Sequence, residues 1–171
     1  MFVLIIGGSA SGKSALAERW AVSLPRPRIY LAAMQVLDEE SRLRVQRHRA
    51  MRAGKGFETV EAPVALWNAD IPSASTVLLE DLSNLLANEL FSPEGGGSEA
   101  ALRGVEAVRA RCENLILVTN EVFSGGADYE GETADYLAEL AWLNRTLAAE
   151  ADTVAEVVCG LPNVLKGALP W

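Results

Sequence analysis

Two cysteines and one histidine are all the thiol and imidazole metal ligands that 171 residues offer. Cys112 and Cys159 lie far apart, no C-x-x-C occurs, and His48 is the only imidazole that could join them. Neither a zinc site nor a disulfide framework is therefore expected, and both thiols read as buried. No run approaches the roughly 18 apolar residues that a bilayer span needs, although half of the chain is hydrophobic. No basic segment precedes the first apolar run, which leads straight into a glycine-rich turn, so it reads as a strand and not a signal peptide, and the expected compartment is the cytoplasm. Cations are scarce too: 15 lysines and arginines against 23 acids leave a net charge of −8. That balance would repel a nucleic-acid backbone over most of the surface, so any phosphate site must be local. Aromatics make up 6%, and Trp20, Trp67 and Trp142 read as packing, with Trp171 at the terminus docked or loose. With no internal repeat, the length suits one domain over 1–171.

Against these absences stands one dense motif. Gly7, Gly8, Ser9, Ala10, Ser11, Gly12, Lys13 and Ser14 fit G-x-x-x-x-G-K-[ST], between the apolar run Phe2 to Ile6 and the helical stretch from Ala15. Glycines let the backbone close around a polyphosphate, so that N–H groups and the positive end of the following helix face the anion. Lys13 would neutralise the β and γ phosphates, and Ser14 would hold Mg²⁺.

The β-rich runs Phe2 to Ile6, Arg28 to Ala32, Thr76 to Leu79, Leu115 to Thr119 and Thr153 to Val158 alternate with helical patterns. The expectation is an α/β P-loop NTPase, RecA-like, with a mainly parallel sheet, helices on both faces, and ligands at the carboxyl ends of the strands. Ser92 to Ser98 reads as the most flexible joint, between helices Leu82 to Phe91 and Glu99 to Arg111. A Mg²⁺ carboxylate belongs at the end of an interior strand, and Thr76 to Asp81 is the run with acids there. Side chains alternate along a strand, so one of Glu80 and Asp81 faces the phosphate loop and the other can cap the next helix; spacing does not choose between them.

A helix is expected from Asp38, its N-cap, to Ala53, with Gly54 just past the end. Five arginines and His48 fall within Arg42 to Arg52, and Arg44, His48 and Arg52 recur at i, i+4, i+8 along one face, with Arg49 beside it. A solvated basic face is the plain reading. In an acidic chain that binds a nucleotide, it is also a credible second phosphate clamp. A neutral imidazole among arginines is, moreover, a nucleophile held against a phosphate.

Taken together these residues resemble the bifunctional adenosylcobinamide kinase and adenosylcobinamide-phosphate guanylyltransferase family. The likeness runs through the phosphate loop, Tyr30 to Met34, Asp38 to Glu40, Arg44 to Arg49 with Arg52, Thr59 to Pro63, Leu78 to Glu80 with Ser83 to Leu85, Thr119 to Val122, Leu143-Asn144, and Gly160 to Pro162 with Lys166. The resemblance implies that His48 takes GMP from GTP before passing it to adenosylcobinamide phosphate. It further implies GTP contacts from residues 7–14, from Ala32, Ala33 and Met34, from Arg49, Ala50, Met51 and Arg52, and from Glu61 and Glu80. It breaks the tie in favour of Glu80 as metal ligand with Ser14, and leaves Lys13, His48 and Glu80 as the catalytic set. Kinase activity on the corrinoid hydroxyl with ATP or GTP as donor, and a homo-oligomer, specifically a trimer, are implied as well. Glu80 stands where many members carry Asp, Ala33 where Thr is common, and residues 123–129 and Arg145 also depart from the usual pattern. A plain P-loop kinase with an idle His48, and a regulatory GTP-binding subunit, are the competing functions. Glu121 is an open candidate for the substrate pocket, and Lys166 reads as solvated.

Overall fold

The computed structural model describes residues 1–35, 39–123, 125 and 129–169; the side chains at 40, 41, 44, 47, 48 and 51 lie outside that description, as does the expected N-cap Asp38. Thirteen elements follow in chain order: β1 (Phe2–Gly7), α1 (Lys13–Ser23), β2 (Arg28–Ala32), α2 (Glu39–Arg52), β3 (Phe57–Glu61), a 3-10 turn at Leu66–Asn68, β4 (Thr76–Glu80), α3 (Leu82–Phe91), α4 (Gly97–Arg111), β5 (Asn114–Asn120), α5 (Glu132–Glu150), β6 (Thr153–Val158) and β7 (Leu161–Lys166).

The strands form one sheet in the order β3-β2-β4-β5-β1-β6-β7, parallel except for β7. All of β4 and nearly all of β1 and β5 are buried, as strands covered on both faces must be. Successive residues feed opposite layers. Phe2, Leu4, Val77, Leu79, Leu115 and Leu117 pack against α3, α4 and α5, while Val3, Ile5, Leu78, Ile116 and Val118 pack against Leu16, Ala17 and Trp20 of α1. Helices thus cover both faces, as the βαβ pattern predicts. β5 lies between β1 and β4, the inserted-strand order of RecA-like sheets.

Two strands escape the sequence patterns, and both are edges. β3 is mostly exposed, so it has no apolar run to announce it, and β7 carries Pro162, which only an edge tolerates. Cys159 departs from expectation: it is exposed, in the β6–β7 turn with a φ of 50°, where a thiol needs no cover. Cys112 is half-buried, and that burial pushes its thiol up to about 11. Trp20 is 1% exposed in the core, Trp142 packs against the opposite layer, and Trp67 lies under the Arg103 guanidinium at 4.0 Å. The α3–α4 joint is shorter than expected, since Gly97 and Ser98 already belong to α4. It is also tied down: the buried Glu89 accepts from Gly96 N at 2.9 Å and from Ala65 N at 2.7 Å. Lys166 donates to the carbonyls of Ala148 and Ala149, closing the end of α5.

Candidate active site

The turn from β1 into α1 is built so tightly that Gly7 and Gly12 have no substitutes. A Cβ on Gly7 would meet Ser11 Oγ at 2.5 Å and Val157 O at 2.8 Å, and Gly12 has a φ of +95° with Gly160 Cα 3.0 Å from its missing Cβ. No side chain caps α1, so its first N–H groups remain available to an anion. Lys13, 9% exposed, arches back to donate to Gly8 O at 3.0 Å. Burial lowers its pKa from 10.5, although Asp81 and Glu80 pull the other way.

Parallel register brings the other strand ends to the same rim. Ala32 pairs with Glu80 on one side and Glu61 on the other, and Gly7 pairs with Asn120. The two neighbouring acids separate by role. Ser14 Oγ donates to Glu80 Oε1, whereas Asp81 caps α3 by accepting from Asn84 N at 2.8 Å. Burial raises the Asp81 pKa, with the bond from Asn84 and the charge of Lys13 opposing. Ser14 and Glu80 are hard oxygen donors beside a phosphate cradle, a set that fits Mg²⁺, which uses one or two protein oxygens plus phosphate and water. Among the described residues no group of three or more His, Cys, Asp or Glu could hold a metal by itself.

A cavity of about 1230 Å³ joins this rim to α2. Lys13, Ser14, Glu80 and Asp81 line it, and so do Arg42, Arg49 and Arg52 of α2. It exceeds the roughly 300–1,000 Å³ of an ordinary ligand pocket. Arg49 is bound to Glu61 at 2.6 Å, and Arg52 stacks on Tyr30 with 3.2 Å between guanidinium carbon and ring centroid.

Of the residues singled out by sequence, Ser9, Ala10, Lys13, Ser14, Ala32, Met34, Arg49, Arg52, Glu61 and Glu80 line this cavity. Ala33 does not: its side chain is in the core, and its carbonyl accepts from Asn88 Nδ2 at 2.7 Å. Ala50 is exposed and lies off the cavity wall. The backbone of His48 belongs to α2, while its side chain and those of Arg44, Arg47 and Met51 lie outside the described residues. Glu121 turns back to accept from Phe123 N at 2.9 Å, and its neighbours Asn120 and Val122 line the cavity instead. Tyr30, Asn84 and Asn120 were missed as site residues; Asn120 ends the interior strand β5, a position that could have marked it, whereas Tyr30 lies mid-strand in β2 and Asn84 in the first turn of α3.

Comparison with known proteins identifies the family. The family described as cobinamide kinase / cobinamide phosphate guanyltransferase matches residues 3–165. A bifunctional adenosylcobalamin biosynthesis protein of Pseudomonas aeruginosa PAO1 is 33% identical over 171 residues, covering 96% of both chains. Its counterpart in Salmonella typhimurium LT2 is 33% identical over 184 residues, covering 97% of this chain and all of its own. A solved Pyrococcus horikoshii OT3 protein shares the fold at 10% identity, with a TM-score of 0.54 over 99% of this chain and 87% of that one. On the span of the family match and the level of identity over nearly full length, the chain belongs to the cobinamide kinase / cobinamide phosphate guanyltransferase family.

Proposed function

We propose that this protein phosphorylates adenosylcobinamide and then transfers GMP from GTP to adenosylcobinamide phosphate, giving adenosylcobinamide-GDP in cobalamin biosynthesis. The observation that carries the reading is the shared cavity, lined both by the phosphate loop and by arginines of the helix that bears His48. In the kinase half, the corrinoid hydroxyl attacks the γ phosphorus of a nucleoside triphosphate, ATP or GTP, the bond from that phosphorus to the β–γ bridging oxygen breaks, the nucleoside diphosphate leaves and the hydroxyl proton passes to solvent, while Lys13 and the loop N–H groups hold the phosphates. In the transfer half, a His48 nitrogen attacks the α phosphorus of GTP, the bond to the β phosphate oxygen breaks, pyrophosphate leaves and the imidazole proton passes to solvent. An oxygen of the corrinoid phosphate then attacks the same phosphorus, the P–N bond breaks, and the departing imidazole takes a proton back from solvent, so that neutral His48 returns. Arg49 and Arg52 offset the charge that gathers as two anions meet.

Ser14 and Glu80 would hold Mg²⁺, which supplies charge neutralisation on the phosphates. Glu61, Ala32 and Met34 complete the GTP contacts, while Ala33, whose N–H donates to Glu80 O and whose carbonyl accepts from Asn88, holds the segment in place behind them. We read residues 1–171 as one domain working in the cytoplasm as a homo-oligomer, a trimer by the family resemblance. The exposed apolar residues Leu161 and Leu165 on edge strand β7 support an association surface. No helix among the described residues is long and apolar enough to cross a membrane. The test is His48→Ala assayed for both halves: guanylyl transfer is expected to disappear while phosphorylation of adenosylcobinamide persists. Equal loss of both, in a folded variant, would contradict the division of labour.

A further inference from the structure

Glu80 is gripped at both oxygens. Ser14 Oγ donates to Oε1, and Tyr30 OH donates to Oε2 at 3.1 Å. Tyr30 is 5% exposed and Glu80 8%, so this bond is made away from bulk water, where losing a partner is not made good by solvent. The Tyr30 ring has its own second neighbour, the Arg52 guanidinium, itself 6% exposed and the last residue of α2. A run of buried contacts thus leads from the phosphate-loop helix through β4 and β2 to the helix that carries His48.

Packing accounts for the ring but not for the hydroxyl. Tyr30 belongs to the apolar layer with Leu78, Ile116 and Val118, where phenylalanine would fill the same volume. The hydroxyl has one evident use, on the carboxylate. A carboxylate at a strand end can rotate about its last bond, and Mg²⁺ demands near-ideal octahedral geometry, so an outer partner that fixes the rotation matters to the ion.

We propose that Tyr30 is a positioning residue: its hydroxyl fixes Oε2 of Glu80 so that Oε1 faces Ser14, and its ring under Arg52 ties that orientation to the end of α2. The inference rests on Ser14 and Glu80 as the Mg²⁺ holders proposed above. Tyr30 acts through Glu80 and not on the nucleotide.

Binding of GTP carrying a fluorescent N-methylanthraniloyl group, titrated with Mg²⁺ on the full chain, reads this directly. Tyr30→Phe keeps the ring under Arg52, and is expected to raise the half-saturating Mg²⁺ concentration about tenfold while binding without Mg²⁺, in EDTA, stays within about twofold of wild type. Tyr30→Leu also removes the platform of Arg52, and is expected to weaken binding in EDTA as well. Glu80→Gln is the control and should flatten the Mg²⁺ dependence. A Tyr30→Phe curve that matches wild type, beside a flattened Glu80→Gln curve, overturns the role of Tyr30 and leaves the metal assignment standing. Equal loss of affinity with and without Mg²⁺ in Tyr30→Phe would reduce the residue to packing and also overturn the proposal. An unchanged Glu80→Gln curve would instead remove the metal assignment on which it rests.

Discussion

Arg49 Nη2 donates to Glu61 Oε1 across 2.6 Å, closing the last turn of α2 onto the end of β3. The two side chains remain 57% and 66% exposed, so the pair contributes only about 0–1 kcal/mol and gives way readily to an incoming phosphate. Arg49→Ala is therefore expected to leave Tm within about 2 °C of wild type. GTP affinity, measured by calorimetry, is expected to fall about tenfold, the scale of one charge-assisted contact. An unchanged affinity would take Arg49 out of the nucleotide site.

Lys13 carries a cost that only its function explains. Burial lowers its pKa from 10.5, so the folded chain holds that proton less tightly than the unfolded chain. Stability of the nucleotide-free protein must then rise as pH climbs through the lowered folded pKa, and level off above 10.5. Lys13→Met removes the buried charge. Without nucleotide it is expected to melt about 2 °C higher than wild type near neutral pH, with the gap closing toward alkaline pH, and to lose GTP binding. A variant that melts lower at every pH would show that the lysine stabilises the loop.

Asn88 sits a layer behind the cavity, yet its side-chain amide donates to Ala33 O at 2.7 Å and to Pro63 O at 2.9 Å. It thereby joins the two chain segments that follow β2 and β3 and border the proposed nucleotide contacts. Asn88→Ala abandons both carbonyls, a loss of about 2 kcal/mol, or a Tm lower by roughly 4–8 °C. The Michaelis constant for GTP should rise with it, more than kcat falls. A loss of stability with unaltered nucleotide kinetics would confine Asn88 to the fold.

The parts of this site that were legible in sequence are those where backbone chemistry demands particular residues. Gly7 and Gly12 are needed by a turn too tight for a Cβ, and an apolar run before them can be little else than a central strand. The five strands expected from β-rich runs all form, within one residue at either end. What spacing alone left open, Glu80 against Asp81, turns on which side chain each pleat aims at α1, and that depends on sheet order. Tyr30 and Asn120 were not singled out as site residues for the same reason, because register across β2, β4, β5 and β1, not proximity in sequence, gathers them. Edge strands β3 and β7 carry too little buried surface to leave an apolar pattern. The exposed Cys159 shows the limit of residue averages, since cysteine is usually buried and here occupies a turn.

The central claim is that His48 becomes guanylylated, and the most direct test is to incubate the purified protein with Mg²⁺ and GTP labelled at the α phosphate, beside His48→Ala and Lys13→Ala. A phosphoramidate is stable to alkali and released by acid. The account predicts such a label on the wild type, none on His48→Ala, and little on Lys13→Ala. Label that persists in His48→Ala, or a wild type that binds GTP and never takes up label, would contradict it.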